Sequence, residues 1–508
     1  QTLSRTEYAY DSPTTTGNLT QQKSWDSTKG GCSNPLHAGN SVSVSHQYDS
    51  YGNRWLTTDA RGVQTHLTFG AVGGHTGLYP TEVRTAYGTG VQRTEAKQYD
   101  FHTGLVTRTT DADNGVSTST AYDAFGRPAL VREAEGKPEE RRTATEYHDA
   151  ARRVVVRADL DSAGDSKLVS VKHYDRLGRV RLARQLENAA TQSATDEAHG
   201  IKVQTRYRYS GANSFQLVSN PYRAASAAAA GSEQTMGWSL TKRDRGGRVV
   251  AVTSYSGAPL PSPWGANANT TGTVTTSYDA EFTTITDQAG KVRRNMSDGL
   301  GRLARVDEPD AGGNLGPTNS PVQPTGYAYD VNGNLTLVSQ GAQTRTFAYS
   351  SLSRLASAAN PESGAVSYLY DDSGNMTRKT DARSVQTNFT YDPLGRTTSK
   401  TYSDGTPPVA YFYDTQALPA GAPAVGRGYS RGRLVAVTYG GGSASSYNGY
   451  DDHGRVLTRV QQTDGVTYVV DAAYTQAGTL TTETYPAAPG HAARRVVSRV
   501  YDGASRLA

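Results

Sequence analysis

Cysteine is almost missing from this sequence. A single thiol, Cys32, excludes an intramolecular disulfide and any cysteine-based zinc site. Met (3), Trp (4) and Phe (8) are scarce too, and the apolar fraction is 35%, below the roughly 45–50% of an ordinary globular chain. A thick dry core is therefore excluded. No apolar run approaches the ~18 residues of a membrane helix, so no membrane span is expected. The first residues, "QTLSRTEYAYDS", have the pattern of neither a signal nor a transit peptide. Charge of one sign is also lacking: Lys+Arg 52 and Asp+Glu 47 are interspersed over 508 residues, leaving a net +5. The densest basic run, "ARRVVVRA" around Arg152 and Arg153, alternates with Val and reads as a strand with one solvated face. It is not the clustered stripe of a nucleic-acid footprint, so no nucleic acid is expected as a partner.

Present in excess are Tyr (32) and Gly (53), and they recur in one frame. Tyr-Asp-x-x-Gly, followed by Arg or Asn, stands at Tyr48, Asp49 and Gly52, at Tyr122, Asp123 and Gly126, and at Tyr174, Asp175 and Gly178. It returns at Tyr329, Asp330 and Gly333, at Tyr370, Asp371 and Gly374, at Tyr391, Asp392 and Gly395, and at Tyr450, Asp451 and Gly454. "RDRGGRV", "SDGLGRL", "YSSLSRL" and the final "YDGASRL" are altered copies. Weaker ones follow Tyr99, Tyr147, Tyr278 and Tyr474.

Each unit reads as a hairpin. Asp opens a type I turn by accepting from the backbone two residues on, and the Gly takes positive φ and permits a G1 bulge. An alternating run follows, then an acidic turn ending in Gly ("DARG", "EAEG", "QTDG"), then β-formers leading into the next Tyr. About sixteen units give about 32 strands, a ribbon of about 150 Å at ~4.8 Å per strand. Open sheets rarely exceed ~10 strands without curling. The expected fold is all-β: a long antiparallel meander of hairpins coiled into a hollow spiral shell. Residues 1–508 are expected to be one continuous region with loop insertions near 186–200, 222–236, 256–274 and 415–431. The first of these could also hold a short helix.

The recurring Tyr-Asp-x-x-Gly-Arg-Leu frame resembles the YD repeat of the Rhs family. That family includes bacterial Rhs polymorphic toxins, the C component of insecticidal ABC toxin complexes, and the teneurins. The resemblance implies a β-shell, or cocoon, that in toxin members encloses a C-terminal effector and reaches its target through a secretion or delivery machinery. It implies a secreted or cell-surface setting. The family's aspartyl self-cleavage site is similar only to "YDPLGR" here, where Arg396 stands in place of Leu inside an ordinary repeat. The chain is thus expected to be a non-catalytic wall segment. Export, plug, cleavage and effector domains are expected outside it.

Other constellations read as bland. "DADNG" from Asp111 lacks the longer frame of a calcium loop. His37, His46, His66 and His75 stand at no ligand spacing. No nucleophile elbow or phosphate loop occurs, and the carboxylate pairs that could serve glycoside hydrolysis follow from the turns. No catalytic residue, cofactor or metal is expected. The sequons at Asn18, Asn334 and Asn375 belong to the repeat frame itself. The rival reading is a surface adhesion protein that binds glycan or a protein partner through residues 222–274 and 415–431.

Overall fold

The computed structural model describes residues 4–11, 17–414, 426, 428–440, 444–487 and 493–508. Among them lie 37 β-strands and one 3-10 turn, Ala228–Ser232. The fold is all-β, and the described pairings join consecutive strands antiparallel. Strand lengths run from 4 residues at Glu82–Thr85 to 10 at Thr270–Asp279. Short strands are what a repeat with a turn signal every ten residues or so allows.

The turn chemistry sets the register. Gln386–Tyr391 pairs with Thr397–Tyr402, and the register slips by one residue between Thr390 and Tyr391. The same slip falls just before Tyr48, Tyr99, Tyr174, Tyr370, Tyr450 and Tyr474. This is the G1 bulge expected of an Asp-x-x-Gly turn, with Gly395 at φ 77°. Altered copies keep the geometry at some strain. Ser353 and Ser505 occupy the Gly position at φ 57° and 61°, a region that disfavours a residue with a Cβ.

Where the sequence reads as one continuous region, the structure groups the chain into two compact units. Unit 1 comprises 1–142, 329–336 and 345–499, and unit 2 comprises 143–328, 337–344 and 500–508. Unit 1 has a small core of Ala436, Tyr447 and Val460 backed by Phe412 and Val469. Unit 2 is better filled. Val155, Val169, Val171, Leu186 and Ala194 form one cluster, and Leu217, Tyr222, Ala230, Met236, Trp238 and Leu240 anchor another.

The insertions contribute to that filling. Residues 186–200 form turns without a helix, and Leu186 and Ala194 are buried. Residues 222–236 look low-complexity, yet their Tyr222, Ala227, Ala230 and Met236 are buried, and they carry the 3-10 turn. Of 256–274, the first part is turns, and Thr270 begins a strand. Most of 415–431 lies outside the described residues. Ser430 is buried, with its hydroxyl donating to the Asp414 carbonyl at 2.9 Å.

Candidate functional site in the repeat turns

One carboxylate organises each turn. Asp49 Oδ1 accepts the N–H of Tyr51 and of Asn53, both at 2.9 Å. Asp123, Asp175, Asp298 and Asp451 accept in the same way from the residues two and four positions on. The Gly N–H closes the turn on the Asp carbonyl, as from Gly395 to Asp392 at 2.9 Å. Oδ2 is then free for the side chain after the Gly. It accepts from Arg Nε at Asp123, Asp175, Asp298 and Asp392, and from Asn Nδ2 at Asp49, Asp330 and Asp371, at 2.7 to 3.1 Å. Arg and Asn alternate at this position because each puts an N–H within reach of the second oxygen. In altered copies a hydroxyl replaces the carboxylate: Thr475 Oγ1 accepts from Thr479 N at 3.1 Å.

The Tyr joins one repeat to the one before it. Tyr370 donates its hydroxyl to the Leu355 carbonyl at 2.9 Å, Tyr391 to Met376 at 2.7 Å, Tyr413 to Thr397 at 2.8 Å and Tyr474 to Val456 at 3.0 Å. Tyr48, Tyr122 and Tyr450 do the same with Leu19, Val106 and Leu434. Each acceptor follows the Gly of the preceding turn by two residues, or by the equivalent place in an altered copy. The preceding Arg lies over the same ring: Arg179 over Tyr207 at 4.2 Å, Arg396 over Tyr413 at 4.4 Å and Arg455 over Tyr474 at 5.0 Å. Phe would keep the ring contact and lose the hydroxyl, which accounts for the excess of Tyr. Tyr391→Phe should destabilise unit 1 by about 1 kcal/mol, read as a shift in the urea midpoint at constant slope. An unchanged midpoint would remove the hydroxyl from this account.

Arg also reaches forward. Arg354 donates to the Asp371 and Asp372 carbonyls at 2.7 and 2.8 Å, and Arg396 pairs with Asp414 at 2.7 Å. Turns along one edge are thereby chained together.

Within unit 1 that edge meets a second one. The turns of residues 350–476 hydrogen-bond to turns of residues 25–140, across separations of 313 to 343 residues. Ser27 and Ser351 exchange N–H to Oγ bonds, both at 2.9 Å. Lys29 pairs with Asp372 at 2.8 Å. Arg61, in "DARG", donates to the carbonyls of Asp392 and Pro393, each at 3.1 Å. Asn114, in "DADNG", exchanges bonds with the Arg431 backbone at 2.9 and 3.0 Å. Glu139 accepts from Arg455 at 3.1 Å. The acidic Gly turns of the earlier row thus seat the Tyr-Asp turns of the later one. In unit 2 the final turn does likewise: Arg506 pairs with Glu187, 319 residues away.

In the structure the turn Asp and Gly residues make the contacts given above. The sequence alone shows neither this seam nor a set of buried cations in unit 2. Arg184 is 3% exposed and donates to the carbonyls of Ser193, Ala194, Asp196 and His199. Lys202 is 1% exposed and donates to Ala198, Gly200 and Arg223 carbonyls. Together they hold residues 193–200 in place. His173, beside Arg184 at 3.2 Å, is pushed down to about 4 by its burial and is neutral at pH 7.

The chemistry of these sites is that of acceptors and ion pairs. Asp111 of "DADNG" is taken up by Arg93 at 2.9 Å and by Asn114 at 2.7 Å. His66 stacks on Tyr87, and His75 on Phe101. Among the described residues no group of His, Cys, Asp and Glu is arranged to hold a metal ion. Also among them, no helix is long and apolar enough to cross a membrane. Arg157 of the basic run pairs with Glu146 at 2.7 Å.

The turn carboxylates set a pH dependence. The Arg179 backbone N–H, with its guanidinium, holds Asp175 below the usual carboxylate range. The Arg248 side chain does so for Asp244, and the Arg302 N–H for Asp298. A folded value below the unfolded one means that the unfolded chain protonates first. The stabilisation is complete above the unfolded value of about 3.9 and is lost as pH falls through the lower folded values. The urea midpoint should therefore drop steeply as the pH is lowered from about 5 to about 3. A flat midpoint there would contradict the carboxylate caps.

Residues 307–418 match the Teneurin YD-shell family, and residues 99–138 match the RHS Repeat. Over those residues the chain is similar to these two repeat families. The fold is also seen in solved structures. The crystal structure of TcdB2-TccC3 aligns with a TM-score of 0.69 at 14% identity, over 99% of this chain and 30% of that one. TcdB2-TccC3-TEV aligns at 0.67 with 12% identity, over 99% and 32%. TcdB2-TccC3 without its hypervariable C-terminal region aligns at 0.59 with 12% identity, over 99% and 33%. At these identities the likeness is one of fold, and this chain spans about a third of the length of those chains. No curated protein sequence matches this chain.

Proposed function

We propose that this chain is a section of the wall of a hollow β-shell that shields a C-terminal effector until delivery. The observation that carries the reading is the seam in unit 1, where Tyr-Asp turns sit on the acidic turns of a row more than 300 residues earlier. A ribbon stitched to itself in this way leaves fewer open edges and makes a barrier rather than a pocket. The likeness in fold to TcdB2-TccC3 supports the same reading. So does the use of the turn carboxylates, which are committed to backbone N–H groups and Arg side chains. Asp392 in "YDPLGR" acts as a turn cap in this reading and performs no self-cleavage.

The test uses the full-length protein carrying whatever lies downstream of Ala508. The downstream region should resist protease under native conditions and become sensitive once the shell is opened by mild denaturant. Free cleavage of that region while the repeats stay intact would overturn the container reading. Delivery to the outside of the producing cell, through a machinery that recognises parts beyond this chain, belongs to the same proposal.

A further inference from the structure

Unit 2 contains a cavity that the container role does not use. It has a volume of about 810 Å³ and is lined by Arg206, Trp238, Ala258, Leu260, Trp264 and Asn267 among others. That size is within the range of small-molecule sites. Its floor is sheet. Arg206 pairs with Leu217, which pairs with Leu240, so the three side chains share one face. Trp238 is 1% exposed and donates from Nε1 to the Ala258 carbonyl at 3.2 Å, tying floor to wall.

The wall is a built loop. Asn267 donates its side-chain amide to the carbonyls of Ser256 and Pro259 at 3.1 and 2.9 Å. Its own N–H goes to Leu260 at 3.0 Å, and Trp264 and Gly265 close on Pro261 at 2.9 and 3.0 Å. A Cβ on Gly265 would lie 2.3 Å from the Leu260 oxygen, so the loop passes too closely for any other residue. Trp264 is held partly exposed at the rim by this framework.

Arg206 is the one charged residue lining this cavity. Its Nε is buried without a hydrogen-bond partner, and among the described residues its side chain makes no ion pair. Its neighbours are neutralised: Arg179 by Asp175 and Arg181 by Glu197. Arg206 is itself only partly buried, and the carboxylates of the adjoining clefts are thus taken up, so its guanidinium is open to an anion that enters the cavity. Its planar fork matches a carboxylate, and the Trp264 indole offers a flat apolar surface beside it.

We propose that this cavity binds a small carboxylate with an aromatic or apolar body, the carboxylate on Arg206 and the body against Trp264. The test is calorimetry or equilibrium dialysis on the whole 508-residue chain. The probes are benzoate and indole-3-acetate against the neutral benzamide and indole-3-acetamide. At least one acid should bind saturably and about tenfold or more tighter than its amide. Arg206→Gln should bring the acid down to the level of the amide and leave the amide unchanged. Absence of saturable binding of both acids at millimolar concentration would overturn the proposal. So would equal binding of acid and amide, or an acid affinity indifferent to Arg206→Gln in a folded variant. The acid–amide comparison uses the unaltered protein, so it decides the matter even if the variant does not fold.

Discussion

Trp238→Ala should destabilise unit 2 by about 3–5 kcal/mol, the range for removing a large aromatic from a core. The side chain is 1% exposed and sits among Leu217, Tyr222, Met236 and Leu240. Ala227, Ala230 and Ala258 are too small to close over the void. The indole also holds the Ala258 carbonyl, so the loss should detach residues 256–269 from the sheet. Urea denaturation should show an early transition in the variant, with faster proteolysis confined to the insertions. Trp264→Ala, at the partly exposed rim, should lose much less. Equal effects from the two would show that the insertions are not a core.

Asp392→Ala should destabilise unit 1 by about 2–4 kcal/mol. The sequence alone suggests a small effect, because an Asp in a surface turn is usually worth little. Here Asp392 is 7% exposed. Its Oδ1 accepts from Arg396 N at 2.9 Å and its Oδ2 from Arg396 Nε at 2.7 Å. Removing it strips the turn of its acceptor and leaves a largely buried guanidinium with Asp414 alone. Asp392→Asn keeps an acceptor oxygen but loses the charge, so it should fall about midway. The difference between the two variants separates the cap from the ion pair. A midpoint shift below about 0.5 kcal/mol for the alanine variant would return Asp392 to an ordinary surface turn.

What the sequence made legible was local. Asp49, Gly52 and their equivalents act within five residues, so their spacing carries their role. The role of the Tyr hydroxyl was only half visible. An excess of Tyr over Phe shows that the hydroxyls have partners, but the acceptor of Tyr391 is a carbonyl 15 residues away. The choice of Arg or Asn after the Gly became intelligible only with the second carboxylate oxygen in place.

The seam was not legible, because it joins turns more than 300 residues apart, and about half of its acceptors are main-chain carbonyls, as at Asp392 and Pro393, which every residue has. The core in unit 2 was hidden by composition: "AASAAAAG" looks like a flexible tract, but small side chains are what lets Ala230 pack to zero exposure. Arg184 and Lys202 were hidden for a related reason. In "RLARQ" and "IKVQT" they alternate like solvent-facing cations, and only the 193–200 turns supply the carbonyls that bury them.

The central claim is that, within unit 1, the ribbon of repeats is stitched to itself through its turns. Ser27 and Ser351 test it most directly, because their reciprocal hydrogen bonds hold each side chain against the other's backbone across 324 residues. In a Cys32→Ser background, Ser27→Cys with Ser351→Cys should form a disulfide on mild oxidation of the folded protein. The product should run faster on a non-reducing denaturing gel, and either single variant should not. Failure of the double variant to cross-link while its strands remain folded would contradict the seam, and with it the wall.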